Sequence, residues 1–270
     1  MKTARPETRK EAVVFLGGGR ITGALLAGLR LSGYNRPIIV HDRHVAKLRQ
    51  LRRQYGVSVE PSLPRALEQA RLLVIAVRPG SVRELLEQIG GARTRLAVSL
   101  AAGIPLVNLR RWVPCLWARA MPSPGARSGR GLTAITFDRN FPSAARHEVR
   151  SFFARVGAVL ELAESKFDAF TVTYSSSHGY HALAALAGAA EELGLDRKTA
   201  FTAAAHALAD GILAWREGHI ALADLLREAA TPGGIAAATM ASMDKSGYKQ
   251  IMRRGLRAGM RRARRGSKTR

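Results

Sequence analysis

Cysteine, aromatic residues and acidic residues are all scarce in this 270-residue chain, and it contains no long apolar run. The single cysteine, Cys115, excludes an intrachain disulfide and a cysteine-based metal cluster, which fits a reducing compartment. The most apolar stretch, residues 182–190, is too short to cross a bilayer. Because the chain opens on charged residues instead of an apolar targeting stretch, we expect a cytoplasmic protein without a membrane segment.

Acidic residues number 20 against 43 lysines and arginines, which gives a formal net charge of +23. Such an excess is typical of proteins that bind nucleic acid. The arginines are nevertheless spread over every predicted helix and become dense only from Arg253 to Arg270. Because aromatic residues do not alternate with them, this segment lacks a stacking platform for single strands. It is either a solvated basic end or a site of weak, salt-sensitive binding to polyanions.

Apolar residues make up 47% of the chain, which is enough for a sizeable core and two domains. The first apolar run, residues 12–16, leads into three glycines and an apolar-periodic helix, as at the start of a dinucleotide-binding βαβ unit. Gly17 lets the chain turn sharply, and Gly19 lacks a Cβ so that the backbone can approach a pyrophosphate. Arg20 and Ile21 open the helix, whose free N–H groups would face the anion.

The spacing of these glycines departs from the usual pattern, because Thr22 occupies the third position and Gly23 follows one step late. The glycines could therefore serve only the packing of a structural turn. Against this alternative, a second apolar run at residues 38–42 ends in Asp42, about 20 residues past the glycines, where such folds bind the adenosine ribose. We therefore expect a Rossmann-like nucleotide-binding unit.

Asp42 and Arg43 favour different cofactors. The Asp42 carboxylate would accept a hydrogen bond from the ribose 2′-hydroxyl of NADH and repel a 2′-phosphate. An arginine can hold a phosphate through two bonds, and Arg43 is followed closely by Lys47 and Arg49. We predict NADPH, with NADH as the alternative cofactor if Arg43 only stacks on the adenine and Asp42 selects the ribose.

Strand-like and helix-like segments alternate through the N-terminal half. Further strand-like runs lie at residues 57–59, 72–77, 96–100, 115–120, 132–137 and 159–162. This alternation predicts an α/β fold with a doubly wound parallel sheet. Ligands of such sheets lie at the carboxyl ends of the strands, so the turns there should face one crevice. Those turns are residues 17–20, 77–80, 101–103 and 121–125. Besides the glycine turn, the expected cofactor contacts are Ala76, Val77, Pro79, Ala101, Gly103 and Met121.

From Glu164 onward the pattern predicts only helices. Their expected ranges are residues 167–193, 197–215, 220–230, 233–245 and 248–264. They are rich in alanine and leucine and poor in aromatic residues, which suits helices buried on more than one side. Two chains that pack their helical halves together would provide that burial, and a monomeric bundle is the alternative.

These patterns divide the chain into four predicted segments. Residues 1–10 form a flexible basic N-terminus, and residues 11–163 form the dinucleotide-binding domain. Residues 164–264 form an all-helical domain for dimerisation and substrate binding, and residues 265–270 form a basic tail.

Five short motifs resemble, in order and in spacing, those of the Δ1-pyrroline-5-carboxylate reductase family. They are residues 15–19 (FLGGG), 76–79 (AVRP), 99–104 (SLAAGI), 119–122 (RAMP) and 231–234 (TPGG). The resemblance runs from Ala12 to about Met260. It implies a Rossmann domain followed by a helical domain that interlocks into a homodimer or a higher homo-oligomer. It also implies an NAD(P)H-dependent oxidoreductase that reduces a cyclic imine, 1-pyrroline-5-carboxylate, to L-proline.

The resemblance further implies which residues contact the small-molecule imine substrate. They are Ser123, Ser176, Ser177, Tyr180, Thr231, Gly233 and Gly234. Thr231 keeps a hydroxyl where the family has a serine that binds the substrate carboxylate. Ser176 and Tyr180 would orient a polar ligand, or would only cap and pack their helix.

The substrate motifs also depart from the family pattern. The departures are Ser175 and His178 (for glycine and proline), Ser123 and Pro124 (for asparagine and threonine), and Ile235 and Ala236 (for two threonines). In the family, the second of those threonines hydrogen-bonds the imine nitrogen, and Ala236 has no hydroxyl to do so. The cofactor half therefore follows the family more closely than the substrate end does.

A proton donor beside the imine nitrogen would assist the reaction, because an imine is most reactive when protonated. Histidine exchanges protons near neutral pH, so His178 is the candidate donor, accompanied by Thr231 and Ser176 as catalytic residues. In the alternative, His178 is hydrogen-bonded to backbone at the start of a helix. The sequence contains no set of His, Asp and Glu at metal-ligand spacing, so we expect no catalytic metal.

Three functions follow from these observations and stay open at this point. The first is reduction of 1-pyrroline-5-carboxylate. The second is reduction of a different imine or carbonyl on the same scaffold, which the altered substrate motifs favour. The third is a non-catalytic relative that binds nucleotide and a partner, which Ala236 and the basic C-terminus favour.

Overall fold

The computed structural model describes residues 11–90 and 96–267, the last three of these by their backbone alone. The flexible N-terminus predicted for residues 1–10 and the end of the predicted basic tail, residues 268–270, lie outside the described residues. Residues 265–267, predicted as part of that tail, continue the final helix instead.

The described part of the N-terminal half folds around one eight-stranded sheet with the strand order β3-β2-β1-β4-β5-β6-β7-β8. The strands are β1 (Ala12–Leu16), β2 (Ile38–His41), β3 (Ser58–Val59), β4 (Ala70–Ile75), β5 (Leu96–Ser99), β6 (Leu116–Pro122), β7 (Gly131–Phe137) and β8 (Gly157–Glu161). Neighbouring strands are parallel except β6 and β7, which are antiparallel. The all-parallel prediction is therefore wrong at this pair. The segment between the two strands is too short for a crossover helix, and a short connection returns the chain antiparallel.

Helices cover both faces of the sheet, as a doubly wound fold requires. They are α1 (Arg20–Leu31), α2 (Val45–Tyr55), α3 (Leu63–Glu68), α4 (Val82–Ile89), α5 (Leu106–Trp112) and α6 (Ser143–Ala154). Alternate residues of β1 serve the two faces, because side chains of a strand point to opposite sides. Val13 and Phe15 join the core formed with α1, α2 and α6, whereas Val14 and Leu16 join the core formed with α3, α4 and α5. Helix α5 was not predicted, because only Leu106 and Leu109 give its short sequence a buried stripe.

The rest of the described chain is helical. The helices are α7 (Glu164–Thr173), α8 (Ser176–Glu192), α9 (Arg197–Glu217), α10 (Leu222–Ala229), α11 (Ile235–Lys245) and α12 (Tyr248–Ser267). The single helix predicted for residues 167–193 is wrong, because the chain breaks after Tyr174. Ser175 takes an extended conformation there and accepts a hydrogen bond from the Ser177 amide with its side chain, which starts α8 as a separate helix.

The chain divides into two compact units. The first holds the residues up to Tyr174 together with those from Gly259 onward, and the second is Ser175–Ala258. The sheet unit thus includes α7 and the last part of α12. In the second unit large apolar side chains remain exposed, among them Leu193 at 88% and Ile235 at 89%. Within the described residues, no helix is both long and apolar enough to span a membrane.

Candidate functional site

Four neighbouring parallel strands end at the same level of the sheet. Leu16 of β1 pairs with Ile75 of β4, Ile75 pairs with Ser99 of β5, and Ser99 pairs with Arg119 of β6. The turns that follow β1, β4 and β5, and the residues that end β6, therefore lie along one edge. These are the segments that the sequence assigns to the cofactor, and the carboxyl edge of a parallel sheet is where such ligands bind.

Gly17 and Gly19 have different surroundings in the turn after β1. Gly17 has φ +114°, and a Cβ on it would lie 2.7 Å from the carbonyl oxygen of Ala76. The fold itself therefore requires glycine at this position. Gly19 has extended backbone angles, and a Cβ on it would have no atom within 4 Å. Gly19 also precedes the first turn of α1 and supplies no side-chain acceptor to its N–H groups. Open space before free helix donors is what an incoming phosphate needs.

Thr22 explains why the usual third glycine is absent from this turn. Its side chain is fully buried, and its hydroxyl donates a hydrogen bond of 2.5 Å to the carbonyl oxygen of Gly17. The hydroxyl thus holds the first turn of α1 against the end of β1. Sequence reasoning treated Thr22 only as a departure from the motif, although threonine is a residue type that commonly bonds to nearby backbone.

Asp42 is turned inward at the end of β2. One of its carboxylate oxygens accepts the Gly18 N–H at 2.8 Å, and the other accepts the His44 N–H at 2.8 Å. The ring of His44 lies 2.9 Å from the same oxygen as its amide, and Lys47 Nζ lies 3.9 Å from the other oxygen. The Asp42 side chain is only 10% exposed. Burial raises the pKa of this carboxyl, but the two backbone hydrogen bonds and the contact with His44 outweigh burial and lower the pKa below its ordinary value.

Exposed cations surround this carboxylate. Arg20 opens α1, Arg43 follows Asp42, and Lys47 lies on the first turn of α2, and all three side chains are exposed to solvent. Because Asp42 spends both oxygens on the protein, the charge presented to a ligand at this point is positive. This arrangement suits a phosphate better than a ribose hydroxyl.

The remaining predicted cofactor residues occupy the turns after β4 and β5 and the end of β6. Ala76 and Val77 are half-buried, Pro79 is exposed at the start of a short 3-10 helix, and Met121 is half-buried. Ala101 is buried. Gly103 has φ +71°, and a Cβ on it would lie 2.7 Å from the carbonyl oxygen of Ala263 in α12. Packing against α12 alone therefore requires glycine there.

Arg119 of β6 forms a buried ionic cluster that sequence reasoning missed. Its side chain is 1% exposed, with Nη2 at 2.7 Å from Asp168 Oδ1 and Nη1 at 3.4 Å from Glu164 Oε1. The guanidinium carbon lies 4.4 Å from the ring centre of Phe167. The same Glu164 oxygen accepts the Leu106 N–H at 2.6 Å. Among the described residues, Arg119 Nε has no hydrogen-bond partner. The cluster ties α7 to β6 and to the start of α5.

The serine-rich segment of the second unit begins α8. Ser175, not Ser176, is the capping residue, and its hydroxyl lies 2.7 Å from that of Ser177. The backbone N–H of His178 donates to the Ser175 carbonyl at 3.0 Å. His178 is half-buried, whereas the side chains of Ser176, Ser177 and Tyr180 are exposed, Tyr180 at 67%.

The TPGG segment forms a tight turn before α11. The Gly234 N–H donates to the Thr231 carbonyl at 2.9 Å, and Gly233 has φ +75°. A Cβ on Gly234 would lie 2.7 Å from the Thr231 hydroxyl oxygen. Gly234 caps α11 without a side-chain acceptor, and Ile235 and Ala236 of its first turn are exposed. The turn thus places the Thr231 hydroxyl close to the free N–H groups of a helix start.

Two further observations bear on the chemistry of the chain. Ser123 is half-buried in the first unit and precedes the 3-10 helix Pro124–Ser128 that follows β6. Burial raises the pKa of the Cys115 thiol to about 12, so this residue stays protonated and is a poor nucleophile. In the described ranges, no group of three or more His, Cys, Asp and Glu residues is placed to hold a metal ion.

Comparisons with known proteins cover both halves of the chain. Residues 12–103 match the family described as NADP oxidoreductase coenzyme F420-dependent, and residues 164–266 match the family described as pyrroline-5-carboxylate reductase dimerisation. The pyrroline-5-carboxylate reductase of Synechocystis sp. is 30% identical over 254 residues, which covers 92% of this chain and 95% of that protein.

Two solved structures share the fold. The pyrroline-5-carboxylate reductase of Coxiella burnetii gives a TM-score of 0.85 at 22% identity and covers 97% of this chain and 100% of that one. The pyrroline carboxylate reductase of Plasmodium falciparum, solved with NADP bound, gives a TM-score of 0.84 at 17% identity and covers 95% of this chain and 98% of that one.

Proposed function

Because this chain belongs to the pyrroline-5-carboxylate reductase family, we propose that it reduces 1-pyrroline-5-carboxylate to L-proline with NADPH. The observation that carries the proposal is the turn after β1, where Gly19 leaves open space before the free N–H groups of α1. NADPH supplies a hydride to the imine carbon, and the imine nitrogen takes up a proton. Atoms and electrons then balance as one hydride and one proton added across the C=N bond, with NADP⁺ as the second product.

The cofactor is bound by the first unit. We assign the pyrophosphate to the N–H groups of Arg20 and Ile21 at the start of α1, beside Gly19. The turns after β4 and β5, with Ala76, Val77, Pro79, Ala101 and Gly103, and Met121 at the end of β6, line the same sheet edge and hold the rest of the dinucleotide. The chain itself supplies orientation and charge, because the cofactor carries the reducing power.

Arg43 selects NADPH over NADH. Asp42 has both carboxylate oxygens engaged by Gly18 and His44, so it does not offer a free acceptor to a ribose hydroxyl. Arg43 is exposed directly beside it and can grip the 2′-phosphate that only NADPH carries. NADH, which lacks this phosphate, binds without that contact.

Arg43→Ala is expected to raise the Kd of NADPH about 10-fold to 100-fold, because a hydrogen bond to a charged group contributes about 1.5–3 kcal/mol. The Kd of NADH is expected to stay within about twofold, since the lost contact is to the phosphate. Calorimetric titration of both cofactors measures the ratio. Arg49→Ala, an exposed arginine one turn further along α2, is the matched control and should change neither Kd. Equal losses for NADPH and NADH would show that Arg43 stacks on the adenine.

The second unit binds the substrate carboxylate. We assign this role to the Thr231 hydroxyl and to the turn of Gly233 and Gly234 that begins α11. A helix start with free N–H groups suits a carboxylate. Ser123, Ser176, Ser177 and Tyr180 contribute polar contacts to the rest of the ring.

His178 supplies the proton in place of the family threonine that Ala236 replaces. It is half-buried at the start of α8, next to the exposed hydroxyls of Ser176 and Ser177. Positioned acid catalysis contributes about 100-fold or more to such reactions, and the imidazole is the group in this segment that can both give and take a proton near neutral pH. Thr231 and Ser176 assist by fixing the orientation of the imine.

His178→Ala is expected to lower kcat about 10-fold to 100-fold and to leave the Kd of NADPH unchanged, since the lost group acts on the substrate nitrogen. NADPH absorbance gives kcat, and calorimetry gives the Kd. His181→Ala, an exposed histidine on the same helix, is the control and should keep wild-type turnover. Unchanged kcat in His178→Ala would reject the proton-donor role and leave the residue a structural one.

The helical domain assembles copies of this chain into a homo-oligomer, since residues 164–266 match the dimerisation domain of the family. We assign a homodimer as the basic unit. Exposed apolar side chains on α8 to α11, such as Leu186, Ile212, Trp215 and Leu226, provide the surface that a second copy would cover.

NADPH oxidation against a panel of cyclic imines tests the proposed function. The proposal expects turnover with 1-pyrroline-5-carboxylate. Turnover only with other imines or carbonyls would favour a different substrate on the same scaffold. NADPH binding without turnover, combined with new activity in Ala236→Thr, would identify a non-catalytic relative that the missing hydroxyl has inactivated.

A further inference from the structure

The final helix, α12, carries its arginines on one side. It runs from Tyr248 to Ser267 and contains no acidic residue. At 100° per residue, five of its arginines fall within one third of the helix circumference. This arginine face consists of Arg253, Arg254, Arg257, Arg261 and Arg264, and every one of these side chains is exposed.

The opposite side of α12 is the packed side. Leu256, Gly259, Met260 and Ala263 are partly buried and recur at the three- and four-residue spacing of one helix face. A Cβ on Gly259 would lie 3.2 Å from a side-chain carbon of Val172, and the Ala263 backbone closely approaches Gly103. The packing of the helix therefore fixes the arginine face toward solvent.

The arginine face is not neutralised by the protein. In the described ranges, no carboxylate lies within ion-pair distance of Arg253, Arg254, Arg257 or Arg261. Other exposed arginines of the first unit do have carboxylate partners, such as Arg71 with Glu148. A run of unpaired positive charge on a rigid helix is costly to keep close together unless a polyanion meets it.

We propose that this arginine face binds the phosphodiester backbone of a nucleic acid duplex. The face extends over about 16 Å at 1.5 Å per residue. That length covers about five phosphates of one strand at 3.4 Å spacing, so each arginine can meet a phosphate. The net charge of +23 would attract the same partner at long range.

Two other polyanions fit the surface less well. A lipid surface takes up an amphipathic helix by its apolar side, and here that side packs against the protein. A single strand needs aromatic platforms for its bases, and the arginine face has no aromatic residue. Backbone contacts alone suit a duplex, whose bases are already stacked on each other.

Fluorescence anisotropy with a labelled 20-base-pair DNA duplex, measured from low to moderate NaCl, tests the proposal. The logarithm of the binding constant should fall linearly with the logarithm of salt, with a slope of about −4 for four to five phosphate contacts. The triple variant Arg254→Gln, Arg257→Gln, Arg261→Gln should reduce the slope by about 3 and weaken binding about 100-fold or more at 0.1 M salt. The corresponding triple lysine variant keeps the charges and should keep the slope.

A second triple variant separates the arginine face from net charge. Arg49→Gln, Arg52→Gln, Arg53→Gln removes three exposed charges from α2 and should leave the slope and the affinity within about threefold of wild type. Thermal unfolding and oligomer size, measured on each variant, verify that the fold is intact. Equal losses in the α2 and α12 variants would overturn the proposal, as would tighter binding to a single strand or to anionic vesicles than to the duplex.

Discussion

Gly19→Val is expected to abolish NADPH binding while the protein stays folded. A valine at this position meets no protein atom, because a Cβ on Gly19 has open space around it and the backbone angles are extended. Its two methyl groups instead occupy the space in which a phosphate would approach the α1 N–H groups. Loss of two hydrogen bonds to a charged phosphate costs about 3–6 kcal/mol. The expected rise in Kd is therefore about 1,000-fold, and calorimetric titration with NADPH measures it.

Gly17→Ala is the contrasting variant for this experiment. Its added Cβ would press on the Ala76 carbonyl, and φ +114° is strained for any side chain. We expect a lowered Tm in Gly17→Ala and a wild-type Tm in Gly19→Val. Wild-type NADPH affinity in Gly19→Val would remove the pyrophosphate from this turn and, with it, the argument that assigns the cofactor to the first unit.

Arg119→Met is expected to lower the free energy of unfolding by about 3–5 kcal/mol, because it leaves Asp168 and Glu164 beside a buried position without their cation. Methionine keeps much of the side-chain volume, so the loss reports charge more than packing. Urea unfolding followed by circular dichroism gives the difference at an unchanged m-value. Further loss is expected at the start of α5, since Glu164 also accepts the Leu106 N–H.

Arg146→Met is the matched control for the buried cluster. Arg146 also pairs with a carboxylate, that of Glu161, and also lies over a phenylalanine ring, that of Phe137. Its side chain is 38% exposed, so solvent screens the pair and its loss should cost no more than about 1 kcal/mol. Similar losses in Arg119→Met and Arg146→Met would contradict a special role for the buried cluster.

Most of the first unit could be predicted because its sequence patterns are local. Val13 and Phe15 alternate with Val14 and Leu16 between two cores, and the apolar run around Val74 reads as a strand buried on both faces. The antiparallel course of β7 could not be predicted from its own residues. It follows from the short connection after Pro122, and strand direction depends on that connection.

The candidate site could be predicted in its residue types but not in its contacts. The sequence placed Asp42 at the end of β2, yet its inward turn depends on the Gly18 amide, which only the folded turn brings within 2.8 Å. The cap of α8 was assigned to the wrong serine, because Ser175, Ser176 and Ser177 are equivalent as letters. Arg119 was recognised only as part of a motif, since its partners lie far along the chain in α7.

The packing of Gly103 against Ala263 affects how the protein can be made. The ribosome releases an N-terminal domain early, and such domains commonly fold before the chain is finished. Here Gly103 and Val172 receive their neighbours, Ala263 and Gly259, only when the final helix has been synthesised. A recombinant fragment cut after Tyr174 would therefore keep the whole sheet and still expose the surface that α12 covers. A soluble cofactor-binding fragment should retain the last helix, joined through a linker or expressed as a separate peptide.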